Sequence, residues 1–197
     1  MKKLFLCALM AVFSLASYAD EGSIDVVSGD GKCLLQKDKT MSLNIDYNNA
    51  MFEGVTKDEY FAKRTEKNSN YATDFDAQSV ESKQWFVKEW NGKSKASKIQ
   101  ESGNTDYTMN MKLSSVDLGS SAAANFGTWF NKRVGGMILS GTIDVVDNAT
   151  GQVVCQIRLE QVRLTSTRSM DFKYSSEGRR RCLGMKDLAK RILKEID

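Results

Sequence analysis

Histidine is absent from all 197 residues, and its absence excludes more chemistry than any residue present supplies. It is the side chain whose ordinary pKa lies nearest neutrality. Without it, neither a Ser-His-Asp nor a Cys-His hydrolase arrangement can be built. Zinc is poorly served too. Beyond Cys7 the cysteines are Cys33, Cys155 and Cys182, widely spaced and without a C-x-x-C pair. No glycine-rich phosphate loop is present: Gly119 and Gly127 stand too far apart, and no Gly-Lys-Ser or Gly-Lys-Thr follows them. Neither a cofactor nor a metal is expected. Proline is missing as well, so chain reversals have to be read from glycine, asparagine and aspartate.

Long apolar runs are scarce, and the one at the N-terminus has a distinct grammar. Lys2 and Lys3 precede the uncharged stretch from Leu4 to Leu15, and Ser17-Tyr18-Ala19 offers small residues for cleavage. These are the three regions of a secretory signal. A membrane-spanning helix needs about 20 apolar residues, and Asp20 and Glu21 arrive too early for that. Residues 1–19 are therefore expected to be a cleaved signal peptide and residues 20–197 a single domain, exported to the periplasm or the periphery of an outer membrane. Cys7 lies inside the apolar run, so it cannot open a mature lipoprotein. Cleavage removes two lysines and no acid from a formal charge of +3. Near-neutrality argues against a nucleic-acid partner, which calls for a strongly basic face.

Periodicity supplies the elements. Met41, Leu43, Ile45 and Tyr47 alternate with polar residues, as do Tyr107, Met109, Met111 and Leu113, and both patterns predict strands with one face buried. Ile24 to Val27 and Cys33 to Leu35 flank the turn-prone Ser28-Gly29-Asp30-Gly31, which predicts an edge hairpin. Met137, Leu139, Ile143 and Val145 run into Asp147-Asn148-Ala149-Thr150-Gly151, after which Val153, Cys155, Ile157 and Leu159 return. That is a hairpin with its turn chemistry in place. Asp144 and Asp147 are read as strand and turn residues rather than as a cation site, and Cys155 as a buried, inert thiol. Phe172 and Tyr174 suggest a further short strand.

Thr56 stands three residues before Glu59, and Val55 and Tyr60 are spaced to clamp the entry, so a helix should begin there with a capping box and a hydrophobic staple. A second helix is expected from about Asp76 to Asn91, ending at Gly92, with Val80, Phe86, Val87 and Trp90 on the buried arc. The last helix follows Arg179-Arg180-Arg181 and buries Met185, Leu188, Ala189, Ile192, Leu193 and Ile196. These pieces predict an α+β fold: a mixed, mostly antiparallel sheet of about five strands with helices packed on one face.

Three features stand out as candidate contact surfaces. Trp85 falls nearly opposite the buried arc of its helix, so it is either covered by the N-terminal segment or the 93–103 loop, or offered to a partner. Phe126, Trp129 and Phe130 share one helical face in a segment rich in small residues, next to Lys132 and Arg133. That face would either close the core or make peripheral contact with a membrane. Arg179, Arg180 and Arg181 would suit an anionic sugar, phosphate or carboxylate, or form a solvated charge run. Cys33 and Cys182 are the pair considered for a disulfide in an oxidising envelope.

The stretch from Val116 to Ala124, the glycines 135, 136 and 141, and the run from Ile143 to Val154 carry a resemblance over residues 106–197. It is to a family of bacterial cell-envelope domains of unknown function, many of them lipoproteins, whose layout resembles the periplasmic parts of outer-membrane assembly and secretion accessory proteins. The motifs are structural, so the resemblance supplies no catalytic residues. The chain departs from the lipoprotein members in lacking a cysteine at the start of the mature sequence. The expected function is non-enzymatic: binding of another envelope protein or outer-membrane component, in an undetermined oligomeric state. The alternatives are a carrier for a lipid or glycan fragment in a cavity lined by Met109, Met111 and the hairpin, and a carboxylate-based hydrolase.

Overall fold

The computed structural model describes residues 22–93, 95–119, 136–164 and 176–197. Strand β1 (Ser23–Gly29) leads through a 3-10 turn (Gly31–Leu35) into β2 (Thr40–Asp46), and the short strands β3 (Met51–Phe52) and β4 (Val55–Thr56) follow. Next come helices α1 (Lys57–Thr65) and α2 (Tyr71–Asn91), then β5 (Lys98–Ile99), the long strands β6 (Tyr107–Asp117), β7 (Ile138–Asp147) and β8 (Val153–Arg163), and helix α3 (Glu177–Ile196). The fold is α+β.

Eight strands, rather than about five, form one mixed, open sheet among the described residues, in the order β1-β8-β7-β6-β2-β5, with β3 joining β6 and β4 joining β3. The extra strands β3, β4 and β5 are two residues long, too short for alternation to reveal. The segment from Cys33 to Leu35 is no strand. It is the 3-10 turn, capped by the Asp30 side chain, so β1 finds its antiparallel partner in β8 and the expected edge hairpin is not formed. The further short strand suggested at Phe172 and Tyr174 lies outside the described residues.

The β7–β8 hairpin forms as its turn residues require. Asp147 Oδ1 accepts from the Ala149 and Thr150 amides at 2.9 and 3.0 Å, and Gly151 closes the loop at φ +70°. A residue without Cβ takes that conformation at little cost. Two bulges flank β7 at one level, because β6 and β8 each carry an extra residue against it, next to Leu113 and Leu159. Ser140 Oγ accepts from the amide of Gln161, which sits at φ +49° in the second bulge. Bulges bend a strand and increase its twist.

The helices cover one face of the sheet. Helix α1 starts at the predicted capping box, with Thr56 and Glu59 each bonding the other's backbone amide. Such a cap contributes about 1 kcal/mol. Val55 remains exposed, and the ring that covers Tyr60 is Phe52, at 5.3 Å between centroids. Helix α2 begins earlier than the periodicity indicated. Its buried stripe is Phe75, Ser82, Phe86 and Trp90, which leaves Val80 59% exposed. In α3, Met185, Leu188, Ala189, Ile192 and Leu193 are buried and Ile196 is half-buried against the same core, as the pattern predicts. The core lies between these stripes and the inward residues of the sheet, among them Met41, Met109, Met111, Ile143 and Ile157.

Candidate functional site

Arg179, Arg180 and Arg181 lie inside α3 rather than before it, because Ser176 caps the helix by accepting from the Arg179 amide. Successive helical residues are 100° apart, so the three guanidinium groups point in three directions. They form no common patch.

Arg181 turns into the core, where it is 1% exposed. Its guanidinium lies 3.8 Å from the centre of the Phe75 ring and donates to Phe75 O and to Ser79 Oγ. Arg180, 6% exposed, reaches the end of β6 and donates from Nε to Leu118 O at 2.8 Å and from NH2 to Gly119 O at 3.3 Å. Burial pulls its guanidinium below the ordinary value, with Glu177 opposing. Both arginines are structural braces and are not available as surface contacts.

Arg179 points outward and meets Trp85. Its guanidinium sits 4.5 Å from the indole centre, and Lys186 Nζ sits 6.0 Å from the same ring. Trp85 is thus flanked by α3, and it remains partly exposed. Cations over an indole face are attracted by its quadrupole by about 0.5–1 kcal/mol at exposed sites. Glu89 is shared by Lys186 and Lys190 at 3.7 and 3.9 Å. The result is a partly exposed aromatic ring flanked by two cations of α3, one of which also pairs with Glu89. Lys186 was not singled out from sequence. Its place seven residues after Arg179, two helical turns along one face, was the available signal. Phe126, Trp129 and Phe130 lie outside the described residues.

A second constellation ties α1 and α2 to the start of α3. The Tyr71 hydroxyl donates to Glu177 Oε1 at 2.6 Å, and Arg64 NH2 donates to the Tyr60 hydroxyl at 2.6 Å. Arg64 also pairs with Glu53 at 3.5 Å and with Glu177 at 3.8 Å. Burial, then the bond to Glu177, pushes the Tyr71 hydroxyl well above its ordinary value. Two carboxylates share one arginine, and this group acts as a clamp around the rings of Phe52, Tyr60, Phe61, Tyr71 and Phe75. Apart from Tyr60 and Arg64, four residues apart on α1, these residues are scattered through the sequence, so no spacing could have announced the group.

The sheet's other face is polar and bonded to itself. Asn44 donates to Asn110 at 3.0 Å, while Asp144 accepts from Lys112 at 2.9 Å and Gln156 at 2.7 Å. Asp144 therefore serves a side-chain ladder. Open depressions of about 420 Å³ beside Lys112 and Arg158, and of about 380 Å³ beside Asn44 and Lys83, lie at the surface. Met109 and Met111 line neither and are enclosed in the core. Among the described residues no three acidic or cysteine side chains gather as a metal site, and no helix is long and apolar enough to cross a membrane.

The fold and this surface define a two-layer α+β protein with one covered sheet face. No protein-family model matches the chain, and no curated protein does. Among solved structures it is similar to a PelC dodecamer from Paraburkholderia phytofirmans, 12% identical over 89% of this chain and 96% of that one, with a TM-score of 0.42. A variant PelC dodecamer from the same organism is 13% identical over 85% of this chain and 97% of that one, at 0.37. A Xanthomonas campestris protein of the DUF330 family is 11% identical over 90% and 96%, at 0.36.

Proposed function

We propose that this chain is a non-enzymatic, exported binding protein, and that it engages another envelope protein through the outer face of α2 and α3. The observation that carries this reading is Trp85 held beside Arg179 and Lys186. Tryptophan and arginine are the residue types that contribute most to protein interfaces. A ring already placed between cations loses little freedom when a partner covers it. The partner is a protein surface with carboxylates around an apolar centre, complementary to Arg179 and to Lys186 and Lys190, whose two ammonium groups share the single carboxylate of Glu89. Export follows from the N-terminal grammar described above, and the absence of histidine supports a role without acid–base catalysis at neutral pH.

The experiment is site-specific photocrosslinking from position 84, beside Trp85, in intact cells. Adducts that form with the native chain and disappear with Trp85→Ala and with Arg179→Glu support the reading. Adducts indifferent to both substitutions, or none at all, would end it. Fractionation with mass spectrometry of the N-terminus tests the compartment: a mature chain that begins at Asp20 is expected, and retention of residues 1–19 would contradict it.

A further inference from the structure

Gly29 of β1 pairs with Cys155 of β8, and the chain then enters the 3-10 turn from Gly31 to Leu35, which packs against β8. That turn sets Cys33 half-buried against the core beside Cys155, which is fully enclosed. The neighbouring Cys155 thiol, together with burial, pushes the Cys33 thiol up, and Cys33 holds the Cys155 thiol down. Both cysteines are free thiols in this structure.

Cys182 cannot replace Cys155 as the partner. A Cβ on Gly31 would stand 2.9 Å from the side chain of Ile196, so the turn lies at the C-terminal end of α3. Cys182 is fourteen residues earlier on that helix, about 21 Å along its axis. A disulfide needs Cα atoms within about 7 Å, and the two residues from Gly31 to Cys33 cannot span the difference. The pair considered from sequence is thus excluded by the fold, and the thiol read as inert has a thiol neighbour.

We propose that Cys33 and Cys155 form an intramolecular disulfide when the chain meets a disulfide donor of the dithiol-oxidase or glutathione class, fastening the 3-10 turn and the edge strand β1 to β8. Cys33 is the thiol a donor can reach. It gives up its proton and displaces one sulfur of the donor, forming a mixed disulfide. Cys155 then gives up its proton, attacks Cys33 Sγ and displaces the second sulfur. The donor leaves as two thiols that carry the two electrons and two protons lost by the protein. β1 lies at the edge of the sheet and exposes Val26 and Val27, and an open edge is where strands peel away or pair wrongly.

The test uses the purified, reduced protein incubated with oxidised glutathione, quenched in acid, unfolded, alkylated and digested for mass spectrometry. The expected product is one peptide pair joining Cys33 to Cys155, two hydrogens lighter than its reduced parts, with Cys182 alkylated. The urea midpoint should rise on oxidation and fall back with dithiothreitol. Cys33→Ser, at the half-buried position, should abolish both the link and the reductant-dependent shift. Alkylation of all three thiols, a Cys33–Cys182 link, glutathione retained on Cys33 without closure, or a link that leaves the midpoint unmoved would overturn the proposal.

Discussion

Asp106 and Thr40 hold each other from both directions: Asp106 Oδ2 accepts from the Thr40 amide at 2.8 Å and from its hydroxyl at 3.0 Å, while the Asp106 amide donates to Thr40 O at 3.0 Å. The pair stands at the start of the parallel β2–β6 ladder, whose register begins at Met41 and Tyr107. Lys39 donates to the other carboxylate oxygen at 2.9 Å. These bonds, led by the one from Lys39, lower the Asp106 carboxyl from 3.8 to about 2. Because the folded value lies below the unfolded one, the contribution is complete above about pH 4 and is lost as pH falls towards 2. In urea titrations across that window, the wild-type midpoint should decline more than that of Asp106→Asn. Parallel curves would show that the carboxylate does not set this register.

Gly141 faces the bulge in β6, where a Cβ would stand 2.3 Å from Lys112 O and 3.0 Å from the Leu113 Cα. The obstruction is backbone within a paired strand, which cannot move aside as a flexible side chain would. Gly141→Ala should destabilise the fold by about 2–3 kcal/mol, within the usual range for overpacking, read from the urea midpoint at constant slope. A loss below about 0.5 kcal/mol, the scatter of neutral surface changes, would mean that the bulge relaxes freely.

The elements legible in the sequence were those with long, regular alternation or local chemistry. These were β2, β6, the β7–β8 hairpin with its Asp147 turn, the Thr56 cap and the apolar side of α3. Two-residue strands carry no period, so β3 to β5 were missed, and β1 was assigned the wrong partner because pairing across more than a hundred residues leaves no local trace. Val80 was misplaced because the start of α2 at Tyr71 has no side-chain cap to mark it, which shifts the reading of its buried face. Of the described contact candidates, Trp85 and Arg179 were legible as unusual residues, but not as neighbours. Reading Arg179 to Arg181 as one patch failed for a simple reason: inside a helix, adjacent residues diverge.

Arg181 contributes packing on Phe75 and two donated hydrogen bonds in a setting almost without water. Arg181→Ala removes all three and leaves a void, so a loss of about 3 kcal/mol is expected. Arg181→Met restores much of the volume without the cost of burying a charge, and should recover roughly half of that loss. Equal losses in the two variants would assign the effect to the hydrogen bonds and ring contact rather than to filling space. Thermal and urea unfolding of both proteins decide the matter.

Trp85 and Arg179 make the opposite prediction, because their contact lies at the surface and an exposed cation–ring pair contributes about 0.5–1 kcal/mol. Trp85→Ala and Arg179→Glu should each leave unfolding within about 1 kcal/mol of the wild type, whereas capture of the native partner should fall by tenfold or more, as truncation of an interface anchor at 2 kcal/mol or above implies. Charge adds a second signature. If Arg179, Lys186 and Lys190 meet carboxylates, binding of the wild type should weaken as ionic strength rises, and Arg179→Glu should flatten that dependence while Trp85→Ala should not. Arg180 supplies the internal control, since its guanidinium is occupied with Leu118 and Gly119 carbonyls. Arg180→Ala should cost stability and leave the salt dependence of binding unchanged. Were Arg180→Ala to flatten it instead, the contact surface would lie at the end of β6 and not on the helix pair.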